Sequence, residues 1–275
     1  MDTLEIAGIP VAYLDEGSGP PVILAHCSSA SHRMWGALIR ELAGSHRVLA
    51  PDLIGYGQSG LWPQGRPYEA DADARVLAAL ARKAGGPVHF VGHSYGAAMA
   101  LEAARMLGGT EVRGMTLIEP VAFHLLKAAG RDAAYREVEA VARGTIAAMA
   151  DGDRRRASAI YMGFWLGRLR WWLAPKKLKD PVMETVDKVA LEFAAIEAQT
   201  VESLAPYQAL RVPTLLLYGA KTRRPAKVVV EVLSETLPLS RAQAIPAAGH
   251  MSPFTHRDAV NALLLAHIRE TAYLG

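Results

Sequence analysis

Short, continuous apolar runs alternate with segments of helical period through residues 1–122. Leu4–Ile6 and Val11–Leu14, joined through Gly8-Ile9-Pro10, predict an opening hairpin. Pro21–Ala25 is apolar throughout, as a strand buried on both faces would be. A helical pattern at Met34–Leu42 leads to a strand at Arg47–Ala50, a turn-rich stretch at Pro51–Pro67 and a helix over Asp71–Ala84. Val88–Val91 predicts a strand, Tyr95–Leu107 an Ala-rich helix stopped by Gly108-Gly109, and Val112–Ile118 another strand. This rhythm predicts an α/β fold, a parallel sheet with helices on both faces.

The rhythm stops at Phe123. From there to Leu210 the pattern is helical, and alternation resumes at Thr214–Tyr218, Ala226–Leu237, Arg241–Ile245 and Asp258–Arg269. A helical block between two core strands predicts a cap over the C-terminal edge of the sheet, where open α/β sheets bind ligands. The expected organisation is a core of residues 1–122 and 211–275 carrying a cap of residues 123–210.

Composition narrows the class. The 275 residues are 51% hydrophobic and 21% charged, enough to bury a proper core and too apolar for disorder. The single cysteine, Cys27, excludes an internal disulfide and a thiolate metal cluster. The opening Met1-Asp2-Thr3-Leu4-Glu5 has acid where a signal peptide needs basic charge, and no run approaches the ~18 apolar residues of a spanning helix. A cytoplasmic location is expected.

The net charge of +3 is too small to argue for nucleic acid, but it is unevenly placed. Eight of the 30 basic residues lie between Arg154 and Lys179 with no acid among them, which leaves 22 against 27 acidic ones elsewhere. The same stretch holds Trp165, Trp171 and Trp172, three of the five tryptophans. A solvated helix face with the tryptophans packed inward is one reading; a membrane-surface or anion-binding face is the other. Tyr161, Trp165, Leu169 and Trp172 fall at helical spacing and predict one apolar face covering a pocket. Gly163 and Gly167, four apart, predict close approach of another backbone.

Gly92-His93-Ser94-Tyr95-Gly96 joins a predicted strand to a predicted helix, the setting a nucleophile elbow requires. The glycines permit the sharp turn that exposes Ser94, and the helix N-terminus behind it favours developing negative charge. Around this motif the chain resembles the α/β-hydrolase family over nearly its whole length. Pro51-Asp52-Leu53-Ile54-Gly55-Tyr56-Gly57-Gln58-Ser59 is similar to that family's turn after the fourth strand, and Ala247-Ala248-Gly249-His250-Met251 to its histidine loop.

The resemblance implies a Ser94 nucleophile and a His250 general base. Of the other histidines, His93 is expected to point away from Ser94, His26 to brace the turn after the third strand, His256 to orient its own loop, and His124 to be the one rival near the pocket. The oxyanion donors implied are the backbone N–H groups of Tyr95 and Ser28, with Cys27 standing where the family usually has Gly. The Ser28 hydroxyl is available to add a hydrogen bond, and Cys27 is expected to be a buried thiol. The family's commonest acid position is Thr222 here, which cannot carry the charge. A second known position, after the sixth strand, is Glu119, which is expected to complete the triad; Asp52 is a weaker rival.

Ser94 in place of Asp argues against the epoxide-hydrolase and haloalkane-dehalogenase mechanisms. No phosphate loop or metal motif appears, so no cofactor and no metal are implied. The expected function is a serine hydrolase cleaving a small or medium carboxylic ester, with Phe123 and Trp165 as cap walls. Alternatives are other reactions of the same triad, carbon–carbon hydrolysis or cofactor-free perhydrolysis, or a non-catalytic small-molecule receptor. The expected partner is a small-molecule substrate.

Overall fold

In the computed structural model, which describes residues 1–199 and 202–272, strand β1 (Asp2–Ile6) turns at Ala7-Gly8 into β2 (Ile9–Glu16). Both turn residues have positive φ, 54° and 78°, the backbone that a tight two-residue hairpin needs. β2 pairs antiparallel with β4 (Arg47–Pro51). Beyond it β3 (Pro21–Ala25), β5 (Val88–His93), β6 (Val112–Ile118), β7 (Thr214–Gly219) and β8 (Ser240–Ile245) run parallel, in the order β1-β2-β4-β3-β5-β6-β7-β8.

Successive side chains of a strand face opposite ways, so the central strands are apolar throughout because both sides are covered. On one face Val22, Leu24, Val91 and Leu217 pack with Trp35, with Leu38 and Leu42 of α1 (Gly36–Leu42) and with Val260, Leu264 and Ile268 of α12 (Arg257–Ala272). On the other, Ile23, Phe90, Leu117 and Leu216 pack with α2 (Ala72–Ala84), α3 (Tyr95–Met106) and α10 (Arg224–Thr236). The helix expected from Met34 is shorter, because a 3-10 turn, His32–Trp35, occupies its start.

After β6 comes the helical insertion: α4 (His124–Ala128), α5 (Asp132–Ala150), α6 (Arg154–Leu166), α7 (Arg168–Leu173), α8 (Lys176–Ala198) and α9 (Ala205–Gln208). Residues 200–201 of the expected cap and 273–275 of the expected core lie outside the described residues.

The single apolar face over residues 161–172 is not present. Gly167, with φ 89° and ψ 140°, ends α6 and redirects the chain into α7. Tyr161 is buried, but Leu169 and Trp172 are 68% and 70% exposed. Close backbone approach is confined to Gly163, where a Cβ would stand 3.5 Å from Arg168 Cγ and 3.8 Å from Arg168 Cα of the next helix; one on Gly167 would meet nothing. The expected inward packing holds for Trp171 alone of the α7 pair. Among the described residues no helix is long and apolar enough to cross a membrane.

Candidate active site

The turn from β5 into α3 puts Ser94 at φ 56°, ψ −116°, a conformation that costs a side-chain-bearing residue roughly 1–3 kcal/mol. Neighbours hold it there. Ser94 N–H donates to Ile118 O at 2.9 Å, and Ala97 and Ala98 N–H donate to Ser94 O. A Cβ on Gly92 would stand 2.5 Å from Ala97 Cα, and one on Gly96 2.5 Å from Ala25 O, so neither site admits a side chain. The glycines let β5, α3 and the end of β3 meet at this corner.

His250, in the loop between β8 and the short α11 (Ser252–Thr255), places Nε2 2.9 Å from Ser94 Oγ. Its Nδ1 lies 2.6 Å from Glu119 Oε2. Glu119 follows β6 with φ 45°, and is anchored by its own N–H donating to Leu217 O. Its carboxylate accepts Gly219 N–H at 2.7 Å and the Thr222 hydroxyl at 2.5 Å. Burial pushes the Glu119 carboxyl up, but the charge of His250 and the bonds from His250, Thr222 and Gly219 outweigh it and hold it below the usual range. Thr222 therefore stands on Glu119 rather than replacing it. A Cβ on Gly219 would come 2.5 Å from Ala248 O, so β7 and the histidine loop also touch backbone to backbone.

The other candidates go elsewhere. His93 Nε2 donates to His250 O at 2.9 Å, and burial lowers the His93 imidazole to about 3. His26 bridges two turns: Leu53 N–H donates to Nε2 at 2.9 Å, leaving Nδ1 to donate to Cys27 O at 2.7 Å. Burial lowers it to about 4, so the bridge is made by neutral imidazole. Cys27 is buried and its thiol is pushed up to about 12. Asp52 accepts His32 and Gln58 N–H, both at 2.8 Å, and so closes the turn after β4. His124 lies 3.4 Å from Tyr207 OH and 3.6 Å from Glu102, away from Ser94. The His256 ring lies 2.9 Å from the hydroxyl of its neighbour Thr255, and its backbone N–H donates to Ser252 O, so it fixes its own loop.

Ser94, Ser28, Tyr95, Phe123 and Trp165 line one small cavity. Its walls are mostly apolar, with one carboxylate, Glu192 of α8. The Ser28 hydroxyl is committed to Glu192 Oε2 at 2.6 Å, which leaves only the Ser28 backbone N–H for the oxyanion role. The Trp165 ring stacks on His250.

Sequence reading missed a buried charge cluster beside this cavity. Lys188 Nζ lies 3.0 Å from both Asp73 Oδ2 and Glu192 Oε1, and donates to Tyr68 OH at 2.7 Å. Tyr95 OH donates to Asp73 at 2.8 Å, and Tyr56 OH to Glu192 at 2.7 Å. Burial alone would lower the Lys188 ammonium; the charges of Asp73 and Glu192 raise it above its usual range, so it stays charged. Ser28 and Tyr95, the two residues expected to supply oxyanion donors, are thus both tied through their side chains to one network that joins the insertion to the sheet layer. The signal available in the sequence was a Lys and a Glu four apart on the same stripe as Val189 and Phe193.

The alpha/beta hydrolase family model matches residues 22–263. A haloalkane dehalogenase of Sphingobium indicum is 37% identical over 123 residues, 43% of this chain and 41% of that protein. The matched stretch thus spans less than half the length of that relative. Haloalkane dehalogenase 2 of Mycobacterium tuberculosis is 27% identical over 94% of this chain and 90% of its own. Among solved structures, an esterase from Thermogutta terrifontis superposes with a TM-score of 0.75 at 24% identity, covering 98% of this chain and 99% of that one.

Proposed function

We propose that this chain, which belongs to the alpha/beta hydrolase family, is a serine hydrolase that cleaves a small or medium carboxylic ester through an acyl-enzyme. The observation that carries this reading is the unbroken line from Ser94 Oγ through His250 to Glu119, 2.9 and 2.6 Å. Glu119 accepts the Nδ1 proton and so leaves the Nε2 lone pair facing Ser94. His250 takes the hydroxyl proton as Ser94 attacks the ester carbonyl, then delivers it to the departing alcohol. A water activated the same way releases the acid. The Ser28 and Tyr95 N–H groups receive the oxyanion, and Phe123 and Trp165 wall the acyl side. Residues 123–210 act as the cap that keeps this site dry.

The dehalogenase relatives raise a second chemistry, and Ser94 counts against it. A carboxylate that displaces halide forms an alkyl ester, which water can cleave. Ser94 would form an alkyl ether, which does not hydrolyse under these conditions, and turnover would stop after one event. The test is labelling with a fluorophosphonate, beside a Ser94→Ala control, followed by esters of increasing chain length. Labelling and turnover that both depend on Ser94 support the reading. Halide release that survives Ser94→Ala would overturn it.

A further inference from the structure

We propose that the outer edge of the helical insertion, formed by α7 and the first turns of α8, docks on a membrane surface that carries anionic lipid headgroups. After the redirection at Gly167, none of the described residues packs over this edge. Trp171 turns inward at 5% exposure, while Leu169, Trp172, Leu173 and Leu178 stand 68%, 70%, 65% and 43% exposed. Of the eight exposed large hydrophobic side chains among the described residues, four fall in these ten positions.

Positive charge surrounds them. Arg155, Arg168, Arg170, Lys176 and Lys177 have no carboxylate within ion-pair distance among the described residues. Elsewhere on the surface Arg131, Arg224 and Arg241 do reach carboxylates. Lys179 donates to Trp172 O at 2.7 Å, which holds the indole backbone against the basic start of α8. A groove runs between these groups, with Asp180 as the one acid at its rim.

Each part matches a part of an anionic bilayer. Indole and leucine side chains partition into the headgroup and upper acyl region, where an amphipathic ring such as Trp is favoured. Unpaired lysine and arginine are drawn to the negative surface potential of acidic lipids. The chain outside Arg154–Lys179 is net negative, so attraction to an anionic surface favours docking through this face. A nucleic acid would use the cations but leave four bulky apolar side chains in water.

The test is co-sedimentation of the full chain with vesicles of phosphatidylcholine alone and of phosphatidylcholine with phosphatidylglycerol, at low and high salt. We expect partition onto the phosphatidylglycerol vesicles at least ~10-fold above the neutral ones, weakened by salt. The triple variant L169E/W172E/L173E and, separately, R168Q/R170Q/K176Q/K177Q should each lose most of it. All these positions are exposed, and an unchanged thermal melt checks that the variants fold. Absence of binding at low salt, or equal binding by the triple variant, overturns the proposal. So does self-association abolished by the same triple variant without vesicle binding, since the occupant would then be a second copy of the chain.

Discussion

The indole of Trp165 lies flat on the imidazole of His250, with ring centroids 3.5 Å apart and planes 14° from parallel. Trp165 belongs to the last turn of α6, just before Gly167, and Phe164 beside it accepts Arg223 Nε–H through its carbonyl at 2.5 Å. The wall of the cavity is therefore held from the core loop that also carries Thr222.

Trp165→Ala is expected to widen the acyl side of the cavity and to uncover one face of the His250 ring, which stays held by Ser94 and Glu119. kcat/KM for bulky esters should rise relative to that for an acetyl ester, while acylation by the smallest substrate changes by less than ~10-fold. A chain-length profile measured on both proteins checks this; an unchanged profile would mean that the indole does not limit substrate size.

Glu119→Gln keeps the shape of the side chain but removes the charge facing His250. A loss of ~10⁴-fold in kcat is expected, with the fold retained, since removal of a triad carboxylate costs about that much. Thr222→Val, which deletes one donor to Glu119, should cost far less, ~10-fold at most. Glu119→Gln combined with Thr222→Asp should recover part of the loss, because the Thr222 side chain already lies against the Glu119 carboxylate. Steady-state kinetics on the three variants give the order.

Cys27 should resist alkylation. Its thiol is buried and pushed up to about 12, so thiolate is scarce at neutral pH. Iodoacetamide is expected to leave the native protein unmodified and any esterase activity intact, while the unfolded chain reacts. Rapid labelling of native protein, read by mass spectrometry, would contradict the burial.

Acid should weaken the fold before the carboxylates titrate. Burial lowers His26 from 6.5 to about 4, so between those values the unfolded chain binds the proton that the folded chain refuses. Stability is full above pH 6.5 and falls as pH drops toward 4, by up to ~1.4 kcal/mol per unit from this residue. Urea unfolding from pH 7 to 5 should show that decline, and His26→Gln should make it shallower, the remainder coming from His89, His93 and His267, which burial also lowers. An identical slope in the variant would remove His26 from the account.

Much of this was legible in the chain itself. Pro21–Ala25 and Val112–Ile118 are strands over the predicted spans, because an apolar run bounded by turn residues has few other ways to be buried. The approach of Glu119 to His250 follows from strand order: β6 lies beside β5, and both end at the same sheet edge. The face expected over Tyr161–Trp172 failed at Gly167, where one residue in a glycine-favoured conformation reset the helix phase. Lys188 and Glu192 were missed for a different reason. Helical periodicity assigns charged residues to water, and their burial depends on Asp73, 115 positions away from Lys188.

Lys188 also bears on how the molecule comes apart. Its ammonium belongs to the insertion, while Asp73 belongs to α2 under the sheet, and both are almost wholly shielded from water. Peeling α8 from the core would break the Lys188–Asp73 pair and the bond from Lys188 to Tyr68, and would expose the apolar surface that Val182, Val189 and Phe193 bury against the core. The insertion therefore has no cheap intermediate in which it floats loose while the sheet stays folded. Heating should melt both in one cooperative transition, with calorimetric and van't Hoff enthalpies equal. Lys188→Met should split that transition or shift it to lower temperature, because the bolt between the two layers is gone.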